Sequence, residues 1–205
     1  SSCNSTTLNT TIGSWPVTSS DTIFSIALSA NRGVCDIARA NRMADAELLV
    51  AGAKLLIPAQ VCDLDSSSCL IASQINYTAT CVLGGPHTYD TFVNDTYQKI
   101  AAKFEMAVTA LTNADRMPVD PSQTPAVGTT LKIPQCSPSQ CVVQPYEFLY
   151  GTYVDVAKRF NTTVGQIMAF NPTFSYSNDA NPDEGPVITM PMDCKALAGN
   201  VTVIS

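Results

Sequence analysis

The chain has 205 residues, 14% of them charged, with a formal net charge of −6 and a single histidine. That balance leaves no basic surface for a polyanion such as nucleic acid and suits a neutral or weakly charged partner. No apolar stretch reaches the roughly 20 residues a membrane helix requires, so no membrane partner is expected.

Residues 1–14 form a Ser/Thr/Asn-rich leader. Residues 15–58 begin with a short β-prone run around Trp15 and Val17, followed by Ser20-Asp21-Thr22, whose side-chain oxygens suit a helix N-cap. Ile23, Ile26 and Ala27 have the i, i+3, i+4 spacing of a first helix, and Val34, Ile37 and Ala38 that of a second, ending near Asn41. A strand over 54–57 closes at Pro58. Residues 59–86 are a connector carrying Cys62, Cys69 and Cys81, which argue against a floppy linker. Residues 87–134 repeat the first pattern: Tyr89-x-Thr91, then Asn94-Asp95-Thr96-Tyr97, Ile100 and Ala101, then Val108, Leu111 and Asp115, and a strand over 130–133 before Pro134. A joint, 135–143, carries Cys136 and Cys141. Residues 144–191 are a third copy with Tyr146-x-Phe148, Gly151-Thr152-Tyr153, Val156 and Ala157, then Val164, Ile167 and Asn171-Pro172, and a strand over 187–190 before Pro191. The tail, 192–205, holds Cys194.

Three aligned copies of about 45 residues make a tandem array. Each reads β-α-α-β, with two antiparallel strands and both helices on one face, so the fold class is α+β. Units this small bury little apolar surface and need bracing. The eight cysteines, Cys3, Cys35, Cys62, Cys69, Cys81, Cys136, Cys141 and Cys194, are suited to supply it, and only Cys35 lies inside a copy, so bridges are expected to tie copies to connectors. Spacing does not select the pairing. No Cys-x-x-Cys is matched by a second pair or by paired histidines, so neither metal nor cofactor is expected. An even cysteine count beside six Asn-x-Ser/Thr acceptors, Asn4, Asn9, Asn76, Asn94, Asn161 and Asn200, points to a secreted glycoprotein. The start of the chain lacks a signal-peptide pattern and is read as a mature N-terminus.

The recurring pattern resembles the LysM (lysin motif) family: Tyr-x-Val-x-x-Gly-Asp-Thr-Leu-x-x-Ile-Ala, a second helix leading to Asn-Pro, and a Gly-x-x-Leu-x-Ile-Pro ending. Copy one has Trp15 and Ser20 in place of the tyrosine and glycine, copy two has Asp115-Arg116 in place of Asn-Pro, and copy three lacks the aspartate before Thr152. The resemblance covers about two thirds of the chain. Three such modules in a small disulfide-bonded chain look like the secreted fungal LysM effectors. That resemblance implies a non-enzymatic protein of the host apoplast that binds chitin (N-acetylglucosamine) oligosaccharides and keeps them from plant immune receptors, with ligand-induced oligomerisation left open.

In the family the sugar site lies between the loop entering the first helix and the loop after the second. The resemblance therefore assigns Ser20, Asp21, Thr22 and Ile23 with Asn41, Met43, Ala44 and Asp45 in copy one. Asp95, Thr96 and Tyr97, facing residues 115–119, are assigned in copy two. Copy three contributes Leu149, Tyr150, Gly151, Thr152 and Tyr153 with Asn171, Pro172, Thr173 and Phe174. Such loops offer main-chain groups to the sugar amide and an apolar slot to its methyl, for which Ile23 with Met43 and Tyr153 with Phe174 are the candidates. The Asp-Thr pairs suit helix capping as well as ligand contact, Met43 suits core filling, and Trp15 and Tyr89 suit packing. The Asn94 sequon sits in copy two's own entry loop, so copies one and three are expected to carry more of the binding, and the long connector would let them face one oligosaccharide. Two alternatives stay open: the ectodomain of a plant LysM receptor, and the peptidoglycan-targeting region of a wall enzyme. A glycosidase would need two carboxylates about 5 to 9 Å apart across a cleft. Asp183-Glu184, flanked by prolines and glycine, reads instead as a solvated loop.

Overall fold

A computed structural model describes residues 5–72, 75–85, 87–114, 120–178 and 183–204. After a short 3-10 turn, Ser5–Thr7, the first copy contributes β1 (Gly13–Pro16), α1 (Ile23–Ala30), α2 (Val34–Ala40) and β2 (Lys54–Ile57). The connector contains β3 (Val82–Leu83), and the second copy supplies β4 (Thr88–Asp90), α3 (Tyr97–Lys103), α4 (Val108–Ala114) and β5 (Thr130–Lys132). Then follow β6 (Gln135–Ser137), β7 (Ser139–Glu147), α5 (Tyr153–Phe160), α6 (Val164–Phe170), β8 (Val187–Ala196) and β9 (Thr202–Ile204). Each copy has its own two-stranded sheet, β1 with β2, β4 with β5 and β7 with β8, and the first two are antiparallel.

The segments outside the repeats are also ordered into structure. β6 of the joint pairs parallel with β3 of the connector and antiparallel with β9 of the tail, a three-stranded sheet built wholly from non-repeat sequence. Disulfides follow the same logic. Cys35 on α2 bonds Cys69 of the connector, Cys81 of the connector bonds Cys136 of the joint, and Cys141 of the joint bonds Cys194. Cys62 is also disulfide-bonded, and Cys3 lies outside the described residues.

The chain forms two compact units. The first contains residues 1–70, 147–155 and 175–186, and the second 71–146, 156–174 and 187–205. Copy three is thus divided: its entry loop and the later part of its exit loop belong with copy one, while most of its helical and strand sequence belongs with copy two.

In the first unit the apolar faces of α1 and α2, Ile23, Ile26, Val34 and Ile37, close over Leu55 and Ile57 of β2, with the Cys35–Cys69 bridge buried among them. Half-buried Trp15 and Tyr176 pack against this core, the latter from copy three's exit loop. Buried Arg32 stitches the leader to the module by donating to the carbonyls of Asn9 (2.9 Å) and Pro58 (2.6 Å).

In the second unit Tyr89, Ile100, Phe104, Met106 and Leu111 form the buried centre of copy two, with Tyr89 and Phe104 meeting edge to face at 5.6 Å. Ile167, Ile188 and Met190 are buried alike in copy three. Helix α6 meets Phe104 at Gly165, where a Cβ would lie 2.6 Å from the ring, so only glycine lets the two approach.

Candidate functional site

The entry loop of copy one is fixed by its own side chains. Thr22 caps α1 by accepting from Ser25 N, and Ser25 Oγ accepts from Thr22 N, a closed capping box. Asp21 Oδ2 accepts from Thr18 N (2.7 Å), Thr18 Oγ1 (2.9 Å) and, at 3.4 Å, the Trp15 indole. The Thr18 amide, then its hydroxyl, hold the Asp21 carboxyl below its ordinary value. The aspartate of the motif thus ties the entry loop back to the aromatic residue that opens it.

Copy two repeats this tie inside its core. Tyr89 OH donates to Asp95 Oδ2 (2.9 Å), as does Phe92 N (2.8 Å), and Lys103 Nζ stands 2.5 Å from Asp95 Oδ1. Asp95 and Lys103 are only 2% and 3% exposed, and burial, outweighing the nearby lysine, pushes the Tyr89 hydroxyl far above its ordinary range. Thr96 caps α3 through Lys99 N. The amides of Tyr97 and Gln98 donate to the carbonyls of Gln123 (3.3 Å) and Pro121 (2.9 Å) of the copy's own exit loop. Residues 115–119, with Asp115 and Met117, lie outside the described residues.

The recurring asparagine has one structural task in two places. Asn41 Nδ2 donates to Ile37 O and Leu56 O, both at 2.8 Å, and its Oδ1 accepts from Leu56 N at 2.8 Å. Asn171 repeats this with Ile167 O (2.7 Å), Thr189 O (2.8 Å) and Thr189 N (2.8 Å). An amide side chain can donate and accept together, so it staples the end of the second helix to the closing strand.

Within the first unit the exit loop of copy one is enclosed by loops of copy three. Gly151 N donates to Arg39 O and Tyr153 N to Met43 O, each at 3.2 Å. Ala44 N donates to Ser175 O (2.8 Å) and Ser177 N to Asn41 O (2.9 Å). Arg42 Nε reaches Leu149 O at 2.7 Å, and Asn178 Nδ2 reaches Lys54 O at 2.7 Å. Arg39 forks onto both oxygens of Asp155 at 3.0 Å and also holds Asp65 at 2.7 Å. Asp155 Oδ2 in turn accepts from Thr152 N and Oγ1, each at 2.9 Å.

The fold therefore brings Asn41, Met43 and Ala44 together with Leu149 to Tyr153. Asp95, Thr96 and Tyr97 fall in the second unit, as do Asn171 to Phe174. Ile23, Met43 and Tyr153 are fully buried, so the apolar slot expected of them is not at the surface; these side chains fill cores instead. What the loops expose is Ser20 and Thr22 in copy one, and Leu149, Tyr150 (64% exposed), Pro172 and Thr173 in copy three. Asp45 Oδ1 closes a turn with Glu47 N. Sequence reasoning missed Arg39, Arg42, Tyr176 and Asp155; only Asp155 carried a signal, as an acidic residue three places after a capping threonine. Of the sequon asparagines, Asn9, Asn76, Asn94, Asn161 and Asn200 are exposed, and Asn4 lies outside the described residues.

Three β-α-α-β repeats, each with a threonine placed before its first helix, define a LysM protein, and the LysM domain family model matches residues 17–58, 93–134 and 152–191. The chain belongs to the LysM family. Within it the chain groups with secreted fungal effectors: it is 49% identical over 202 residues to the secreted LysM effector LysM13 of Penicillium expansum, covering 98% of this chain and 87% of that one. It is 34% identical over 186 residues to the secreted LysM effector ECP6 of Passalora fulva, covering 88% and 78%. A solved structure, the spore cortex-lytic enzyme SleL of Bacillus megaterium QM B1551, matches with a TM-score of only 0.22 at 26% identity, over 61% of this chain and 23% of that one, too loose to bear on function.

Proposed function

We propose that the protein is a secreted, non-enzymatic chitin-oligosaccharide binder in which copies one and three hold one ligand, and that by sequestering such fragments in the host apoplast it blunts chitin-triggered immunity. The observation that carries the shared site is that the exit loop of copy one and the entry loop of copy three belong to a single compact unit. Exposed Leu149 and Tyr150 give that loop an apolar and aromatic face of the kind a pyranose ring packs against. Copy two contributes less. Its entry loop carries the exposed sequon asparagine Asn94, where a glycan would stand in front of the loop. Hydrolysis is not part of the proposal. The Ser68 hydroxyl and then Arg39 lower the Asp65 carboxyl, and at Asp155 the bonds from Arg39 and Thr152 outweigh burial, so neither carboxyl has the raised pKa of a general acid.

Calorimetric titration with chitin oligomers of increasing length, and with peptidoglycan fragments, tests this reading. The expected result is tighter binding of long chitin oligomers at fewer than three ligands per chain, since linked sites gain roughly 10² to 10⁴ in avidity. Exchange of the exposed residues in copy two's entry loop should leave that affinity unchanged, whereas Tyr150→Ala should weaken it. Equal affinity for short and long oligomers would remove the shared site, and tighter binding of peptidoglycan would replace the ligand.

A further inference from the structure

We propose that Arg39 is a positioning residue: it latches the entry loop of copy three to copy one and so fixes the span of the chitin site that the two copies share. The inference rests on the shared-site reading above. Arg39 stands on the last turn of α2, immediately before the enclosed exit loop. Its guanidinium meets acceptors from two remote stretches of chain: both oxygens of Asp155, 116 residues away, and Asp65 with the hydroxyl of Ser68 (2.7 Å) in the connector.

The guanidinium reaches the loop backbone through Asp155, beside main-chain bonds that do not depend on the Arg39 side chain. Asp155 carries the latch to Thr152, whose amide and hydroxyl its Oδ2 accepts, and the Arg39 carbonyl receives Gly151 N directly. Tyr153 N, the next amide, then bonds Met43 O. Three consecutive residues of the entry loop are thus indexed to one side chain and the two carbonyls that bracket its loop. The planar fork of arginine suits this task, since it orients Asp155 through two parallel bonds while its remaining amine groups stay available to the connector. Side-chain exposures of 18% for Arg39, 29% for Asp65 and 32% for Asp155 place the cluster between surface and core, where ion pairs are less screened than at a fully open surface.

The test uses the full disulfide-bonded chain and the variants Arg39→Gln, Asp155→Asn and their combination, each first shown to keep the near-ultraviolet circular dichroism of the parent. Asp155→Asn retains an acceptor for Thr152 while losing the charge that Arg39 holds. Affinity for a chitin hexasaccharide should fall about tenfold or more in each variant, a part of the avidity that two linked sites supply, while affinity for a trisaccharide stays as in the parent. The double variant should be no weaker than the worse single one, because both remove the same coupling. An unchanged hexasaccharide affinity, an equal fall for both lengths, or additive losses would overturn the latch. Amide hydrogen exchange at Gly151, Thr152 and Tyr153, measured without ligand, judges it separately: exchange should quicken in Arg39→Gln, and unaltered protection would overturn it. If the parent binds both lengths equally, the shared-site reading fails, while the exchange result still decides whether Arg39 holds the loop.

Discussion

Asn41 is fully buried and its amide serves three backbone groups on two elements. Asn41→Asp keeps the shape but removes both donors and places a carboxylate among carbonyl oxygens. A destabilisation of at least about 2 kcal/mol is expected, since an unsatisfied buried polar group costs roughly 1 to 3 and a charge more. Urea unfolding of the variant against the parent measures it, and the same exchange at half-buried Asn171 should act in the same direction. Residues like these were legible as a recurrence at the end of the second helix, and turn formation was a sound expectation for them. Their stapling role was not legible, because Leu56 and Thr189 lie 15 and 18 residues further on and no local pattern links them.

Among the elements, the helices and the closing strands follow closely from caps and apolar spacing: α1 starts after Thr22, α2 ends before Asn41, and β2 occupies Lys54–Ile57. The small sheet of β3, β6 and β9 had no such signal. Its strands have two or three residues each, too few for an alternation to show, and β9 pairs with a segment more than 60 residues earlier in the chain. Helix packing is equally non-local. Gly165 reads as an ordinary weak helix residue, yet its missing side chain is what seats Phe104. Gly165→Ala would gain in helix propensity, but a Cβ at 2.6 Å from an aromatic ring forces the helices apart. A net loss of about 1 to 3 kcal/mol is expected by thermal or urea unfolding. A neutral or stabilised variant would show that the ring shifts freely.

Across the whole molecule, the disulfides Cys35–Cys69, Cys81–Cys136 and Cys141–Cys194 span sequence separations of 34, 55 and 53 residues. In the chain-entropy account each destabilises the unfolded state by roughly 4 kcal/mol, which lets modules with small cores persist. The repeat pattern located the modules and the candidate loops, but it could not assign partners. The long connector allowed copies one and three to face each other, but no residue pattern showed that main-chain bonds join their loops.

That joining carries charge, so stability should depend on pH. Burial raises the Asp155 carboxyl, but the bonds from Arg39 and then Thr152 outweigh it and leave it lowered; the Ser68 hydroxyl and then Arg39 lower Asp65. A carboxyl held below its unfolded value of 3.8 stabilises the fold fully above that pH. Its contribution fades as the pH falls through 3.8 toward the lower folded values. Urea midpoints at about pH 6, 4 and 2.5 should therefore be nearly level at first and then drop. The drop should be shallower in Arg39→Gln, and an identical profile in the two proteins would contradict the assignment.

The enclosure of the first exit loop also sets an order in time. Ser175 and Ser177, which bond Ala44 and Asn41, and Asp155, which binds Arg39, lie more than a hundred residues downstream of their partners. During synthesis the first module consequently emerges with its loop uncovered, and it stays so until the third has been made and oxidised in place. A chain interrupted before residue 175 would leave the ribosome with a complete first repeat and an incomplete first unit.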